Sequence, residues 1–411
     1  VKREVTNGVN MNIDHRILYV LCLLSVLHTG YANAEGATTQ NDLRKKIEMA
    51  AAAEIESSKT PSLQISVGKG DKIIFEGAYG LADIENNVIA NSMSKYRTAS
   101  VAKWFTATAA MRLSANGSLD LDAPIQKYCP EFPAKGTPIT ARQLLTHTAG
   151  IRGYFDYEKE LSETKDKAET ERLQIRKLQE EASFYTRYVD VIKPLDTFKD
   201  DPVIFTPGTD WEYTSFGYRV LACVMQGAAK MDYRQLMQDL VFTPANMLST
   251  ELDDAWKIIP GRVSGYHIDR AEPLRRANMR DVSENLPAGG YLSTSSDLVR
   301  FALTFNQSLV SEDVKAQMTM PARSLKMDTD TAKSWRDAMP SADKYGYGIM
   351  LFSKYEDGMI GHTGRQDGGS AIVILNPKSD LAIAIMTNAK GWNGYLDLAM
   401  KIKDIVDHSV Q

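Results

Sequence analysis

The chain has 411 residues, 43% hydrophobic and 24% charged, with a formal net charge of −4. This is globular composition, long enough for a large core and about two or three structural units. The charge argues against nucleic acid as a partner. No Cys/His cluster has metal-ligand spacing and no glycine-rich phosphate loop occurs, so no metal and no cofactor are expected.

Beyond Met11, His15 and Arg16 precede an apolar run over 17–27, and Ala32-Asn33-Ala34 follows it. A basic start, a short apolar run and an A-x-A site read as a secretory signal peptide cleaved after Ala34, which predicts a secreted or periplasmic protein. Residues 1–10 then read as upstream sequence. The apolar run is too short to serve as a permanent membrane span, and no second candidate follows. Cys22 leaves with the leader. Cys129 and Cys223 lie in apolar, helix-like surroundings where small buried thiols are the commoner outcome, although export also allows them to pair.

Residues 41–57 alternate charged and alanine-rich positions and predict an amphipathic helix. Strands are predicted at 63–68 and 72–79, joined by a hairpin turn at Gly70-Asp71. Next comes Arg97-Thr98-Ala99-Ser100, leading into a helix over 101–113 that is almost wholly small or apolar and therefore buried. Ser100 and Lys103, three residues apart, share one side of that helix start. If burial and neighbouring cations keep the Lys103 amine neutral, it takes the serine proton and makes Ser100 a nucleophile. The helix start adds backbone N–H groups and a partial positive charge beside the developing oxyanion. The same spacing recurs at Ser66/Lys69, Ser92/Lys95, Ser162/Lys165 and Ser341/Lys344, but only at Ser100 does it open an apolar helix.

A turn and helix start follow at Asp120 to Pro124, then a short capped helix ending at Gly150. Residues 158–181 are dense in both signs of charge and predict a solvated helical hairpin or a flexible insertion, with a lid or partner contact as the minority reading. Helical patterns cover 216–229 and 233–240. Strand patterns return at 345–352, 370–375 and 381–386, and a last helix is predicted over 394–407. Strands at both ends around a helical middle predict one antiparallel sheet flanked by N- and C-terminal helices, an α/β (α+β) fold. The expected division is a leader over 1–34, a sheet domain over 35–98 and 286–411, and an inserted all-helical domain over 99–285 carrying a charged insertion at 153–200.

Three ordered motifs, Ser100-x-x-Lys103, Tyr213-Thr214-Ser215 and His362-Thr363-Gly364, resemble those of the penicillin-recognising serine hydrolases, in their class C β-lactamase-like branch. The stretches 144–151, Pro207-Gly208-Thr209, Phe216-Gly217-Tyr218 and 288–294 fit as well, and the likeness covers about 61–388. The resemblance implies a β-lactamase/transpeptidase-like fold with Ser100 as nucleophile and Lys103 and Tyr213 as proton carriers. It also implies that the strand of His362, Thr363 and Gly364 pairs with the substrate backbone. The amide of Arg365 then completes an oxyanion hole with that of Ser100. Ser215 stands where the family often has asparagine, and His362 brings less fixed charge than lysine for a substrate carboxylate. The Arg365 side chain either restores a cation or faces solvent. His147 reads as helix-end packing rather than a proton carrier, and Asp297 as a helix-start residue.

The expected activity is therefore that of an exported serine hydrolase acting on a small-molecule or peptide substrate through an acyl-enzyme, with peptides, including D-amino-acid peptides, first. Carboxylesterase or β-lactamase activity is the near alternative. A non-catalytic β-lactamase-like assembly protein is the rival of another class. Self-association is compatible with each.

Overall fold

The computed structural model describes residues 34–154, 157–269, 274–322, 344–353, 355 and 358–409. Residues 1–33 of the predicted leader 1–34, and Ser341, lie outside the described residues. Two distant stretches build one eight-stranded antiparallel sheet. The first supplies β1 (Ser62–Lys69), β2 (Lys72–Asp83) and β3 (Val88–Ile89). The second supplies β4 (Lys344–Tyr345), β5 (Met350–Phe352), β6 (Met359–Gln366), β7 (Gly369–Asn376) and β8 (Leu381–Thr387). The order is β3-β2-β1-β8-β7-β6-β5-β4, so the first hairpin closes onto the last strand, with Ile65 opposite Ile385 and Val67 opposite Ile383. The predicted hairpin turn forms where Lys69 pairs with Lys72, and Gly70 supplies its positive φ.

The helices that frame the sheet and the cleft are α1 (Ala34–Ser58), α2 (Ala102–Ala115), α3 (Tyr157–Glu163), α4 (Lys167–Ser183), α5 (Ser215–Ala229), α6 (Leu286–Gly289), α7 (Ser295–Thr304) and α8 (Tyr395–Ser409). Period-2 alternation along β7 serves two cores. Ile372 and Ile374 pack with Leu43 and Ile47 of α1 and with Ile402 and Val406 of α8. Ala371, Val373 and Leu375 pack with the helical side, including Trp104 of α2 and Leu298 and Phe301 of α7. With both faces covered, β7 and β8 are buried throughout, and their runs 371–375 and 381–386 are continuously apolar rather than alternating.

Residues 345–352, predicted as one strand, are divided into β4 and β5. Gly348 sits at a positive φ between them, and a Cβ there would collide with Ala107 of α2. A short ladder of Tyr96–Arg97, Tyr291–Ser293 and Glu251–Leu252 fixes the chain just before Ser100.

The charged insertion is helical, as α3 and α4, and its base is fixed to the body. Buried Arg152 donates to Asp201 Oδ2 at 2.5 Å and to Glu180 Oε2 at 3.1 Å, and the Tyr157 hydroxyl donates to the same Glu180 oxygen at 2.9 Å.

Cys129 and Cys223, expected to be small buried thiols, form a disulfide with Cα atoms 5.5 Å apart. The reason is local packing. α5 passes so near the turn at 125–129 that a Cβ on Gly227 would run into the Tyr128 backbone, which brings the neighbouring cysteines together. The bond closes a loop of 94 residues, which constrains the unfolded chain and is expected to stabilise by about 2–5 kcal/mol. Reduction should lower the denaturant midpoint accordingly, and an unchanged midpoint would contradict that.

Candidate active site

Ser100 lies in the tight turn Ala99–Val101 that leads into α2. Ala99 adopts φ +44°, a strained value for a residue with a Cβ, and this turns the chain sharply just before the serine. The strain is held by neighbours, since the Thr98 amide and hydroxyl both donate to the Tyr291 carbonyl. Ser100 keeps partial exposure, whereas Lys103, one turn on, is fully buried.

Lys103 Nζ lies 3.0 Å from Ser100 Oγ, 3.1 Å from Ser215 Oγ and 3.4 Å from the Ala288 carbonyl oxygen. A neutral amine has two N–H groups and one lone pair, and these partners match it. Ala288 O and Ser215 Oγ accept, and the lone pair is left for the Ser100 hydroxyl. Burial drives the pKa of Lys103 well below its ordinary value of 10.5, toward the form that accepts a proton. Ser215, at the first turn of α5, therefore contacts the Lys103 amine, where the family's asparagine would help hold a substrate carbonyl.

Tyr213 precedes Thr214, the N-cap of α5, whose hydroxyl accepts from the Phe216 amide and donates to the Arg152 carbonyl. The Tyr213 ring stacks on His147 at 4.5 Å between centroids and covers Lys103 Nζ at 4.7 Å. Its hydroxyl is buried beside Ser100 without a well-formed hydrogen bond. Burial raises its pKa, so it stays a phenol, able to pass a proton rather than hold a charge. His147 Nδ1 accepts from the Thr214 amide at 3.2 Å, and burial pushes its pKa well below 6.5. This neutral ring packs against Tyr213 and holds it in place.

β6 borders Ser100 at Gly364. A Cβ there would collide with the Thr98 carbonyl oxygen and come within 2.8 Å of the Ser100 amide nitrogen, so only glycine permits this approach. β5 pairs with β6 only from Met359 to Gly361. Beyond that, no described strand pairs with 362–366 on the β5 side, and an extended substrate can add there. Thr363 is buried, with its hydroxyl 3.6 Å from Met350 Sδ.

The His362 side chain turns into the core. The ring is fully buried, with Nδ1 2.5 Å from the Thr363 carbonyl and Nε2 3.0 Å from the Tyr345 hydroxyl. Nδ1 must carry the hydrogen to face a carbonyl, so Nε2 accepts from Tyr345 and neither nitrogen is left for substrate. Burial lowers the pKa to about 3, so the ring supplies no charge. The exposed Arg365 side chain donates to Asn393 at 2.9 Å. Sequence reasoning also missed Tyr345, the Ala288 carbonyl and Arg219, the last detectable as the lone charge in the apolar stretch 216–225.

The turn-held serine, the buried lysine and the glycine-opened strand are assembled from Ser-x-x-Lys, Tyr-x-Ser and His-Thr-Gly stretches spread over the chain, and residues 47–406 match the profile of the Beta-lactamase family. The chain belongs to this family. It is 28% identical over 381 residues to the human mitochondrial serine beta-lactamase-like protein LACTB, covering 77% of this chain and 69% of that one. Among solved structures it is similar to the D-amino acid amidase of Ochrobactrum anthropi SV3, with a TM-score of 0.70, 19% identity and coverage of 90% and 100% of the two chains. The octameric penicillin-binding protein homologue from Pyrococcus abyssi superposes with a TM-score of 0.70 at 19% identity, over 89% of this chain and 77% of that one. These likenesses establish a β-lactamase/transpeptidase fold.

Proposed function

We propose that the protein is a serine hydrolase that cleaves amide or ester bonds through an acyl-enzyme on Ser100, with peptides, including D-amino-acid peptides, as its first substrate class. The observation that carries this is the 3.0 Å contact between Ser100 Oγ and a fully buried amine whose pKa burial pushes well below its ordinary value. In acylation, Ser100 Oγ bonds to the carbonyl carbon while its proton passes to Lys103. The carbonyl oxygen takes the negative charge against the amides of Ser100 and Arg365. Collapse breaks the bond to the leaving group, which receives the proton through Tyr213. Water then attacks the ester and restores Ser100.

The unpaired edge of β6 favours an extended, peptide-like acyl group, and the amidase likeness supports D-amino-acid amides within that class. Esters use the same machinery and need less help at the leaving group, so esterase activity is expected alongside. True β-lactamase action is disfavoured, because Ser215 contacts the base and His362 is uncharged. We place the protein outside the cytoplasm on the strength of the leader-like 11–34 and of the Cys129–Cys223 disulfide, which persists in oxidising compartments. The octameric homologue supports self-association.

A panel of D- and L-amino-acid amides, short D-peptides, nitrophenyl esters and β-lactams tests the substrate class. Turnover of amides or peptides above β-lactams is expected. Turnover of β-lactams alone would refute the peptide assignment. No turnover of any class, with function lost only on deleting 158–181, would favour the assembly-protein reading.

A further inference from the structure

Arg219 is 1% exposed and lies one helical turn beyond Ser215 on the same face of α5. Alongside runs the segment that enters α6. Lys103 Nζ bridges Ser215 Oγ and the Ala288 carbonyl, and Arg219 Nε donates to Asn285 Oδ1 at 3.4 Å. Ser215 and Arg219 are four residues apart, Asn285 and Ala288 three. Two basic side chains thus occupy successive turns of one seam between α5 and α6.

The guanidinium is fixed on every side. Its Nη2 donates to the Tyr154 hydroxyl at 2.9 Å and lies 3.6 Å from Glu284 Oε1, and it stacks over the Phe216 ring at 4.3 Å. Glu284 is fully buried and shared, because Arg280 Nη2 donates to the same oxygen at 2.7 Å. Glu284 is thus divided between two arginines rather than given to Arg219 alone. A guanidinium stays charged at any working pH, so this charge is permanent.

We propose that Arg219 is an electrostatic positioning residue of acylation: its buried guanidinium disfavours a second cation at Lys103 and so leaves that amine free to take the Ser100 proton. The proposal rests on the acyl-enzyme reading above. Among the described residues, the groups around Lys103 are Ser100, Ser215 and the Ala288 carbonyl, the ring faces of Tyr213 and Tyr218, and the neutral rings of His147 and His362. None of these is a carboxylate. The tyrosine faces and the carbonyl favour an ammonium, whereas burial and then Arg219 oppose it. Arg219 is the charge that adds to burial, and Glu284 with Arg280 keeps it there.

The test is the pH dependence of Ser100 labelling by a fluorophosphonate. In that step Oγ bonds to phosphorus, fluoride leaves with the P–F electron pair, and Lys103 receives the Oγ proton. Wild-type labelling should rise with pH through an acid limb and level off. In Arg219→Gln the limb should move up by about one pH unit, so labelling below it slows about tenfold. Glu284→Gln removes the compensating anion and should move the limb down. A limb that stays in place in whichever of the two glutamine variants retains a cooperative melt overturns the proposal. Absence of wild-type labelling at Ser100 would instead refute the acyl-enzyme reading itself.

Discussion

Ser100→Ala is expected to abolish turnover, with a loss of about 10⁴-fold or more in kcat, while leaving the melting transition in place. Only the nucleophile carries the acyl group, and neither the oxyanion amides nor Lys103 can replace it. The change removes one partly exposed oxygen. Lys103 keeps its contacts to Ser215 and Ala288, so no buried charge is stranded. Activity and unfolding measured on the same preparation check both halves. Residual turnover within tenfold of wild type would place the chemistry elsewhere.

Lys103→Met should cost about 10²–10⁴-fold in acylation, the usual scale for losing a positioned general base. Methionine matches the unbranched shape and suits the apolar surroundings, although it leaves Ser215 Oγ and the Ala288 carbonyl without the amine. The pH profile separates this from a packing defect. Burial holds the Lys103 pKa below 10.5. As pH falls through the lowered value the amine protonates and acylation slows, so the wild type has an acid limb set by Lys103. That limb should vanish in Lys103→Met, leaving a slow rate that no longer tracks this titration. A full-strength limb in the variant would assign the titration to another group.

Much of the architecture follows from short-range patterns in the chain. The turn at Gly70-Asp71, the apolar β7 and β8 and the buried helix behind Ser100 each obey a local rule, and the motif order places their site. The departures come from contacts between segments far apart in the chain. Cys129 and Cys223 pair because Gly227 lets α5 approach the turn at Tyr128, which no spacing reveals. The strand pattern at 345–352 breaks because Gly348 must fit against Ala107. The burial of the His362 ring was likewise hidden, because Tyr345 and the Thr363 carbonyl, which engage its nitrogens, meet it only in the folded core. Arg219 was visible only as a charge out of place in an apolar helix, and its partners Glu284 and Arg280 come from a separate stretch.

The central claim is that Ser100 is a nucleophile activated by Lys103. Intact mass after exposure to a fluorophosphonate, with the adduct mapped by digestion, tests it most directly. One adduct on Ser100, strongly diminished in Lys103→Met, is the predicted result. A folded wild-type protein whose Ser100 stays unmodified, or is modified equally well without Lys103, would contradict it.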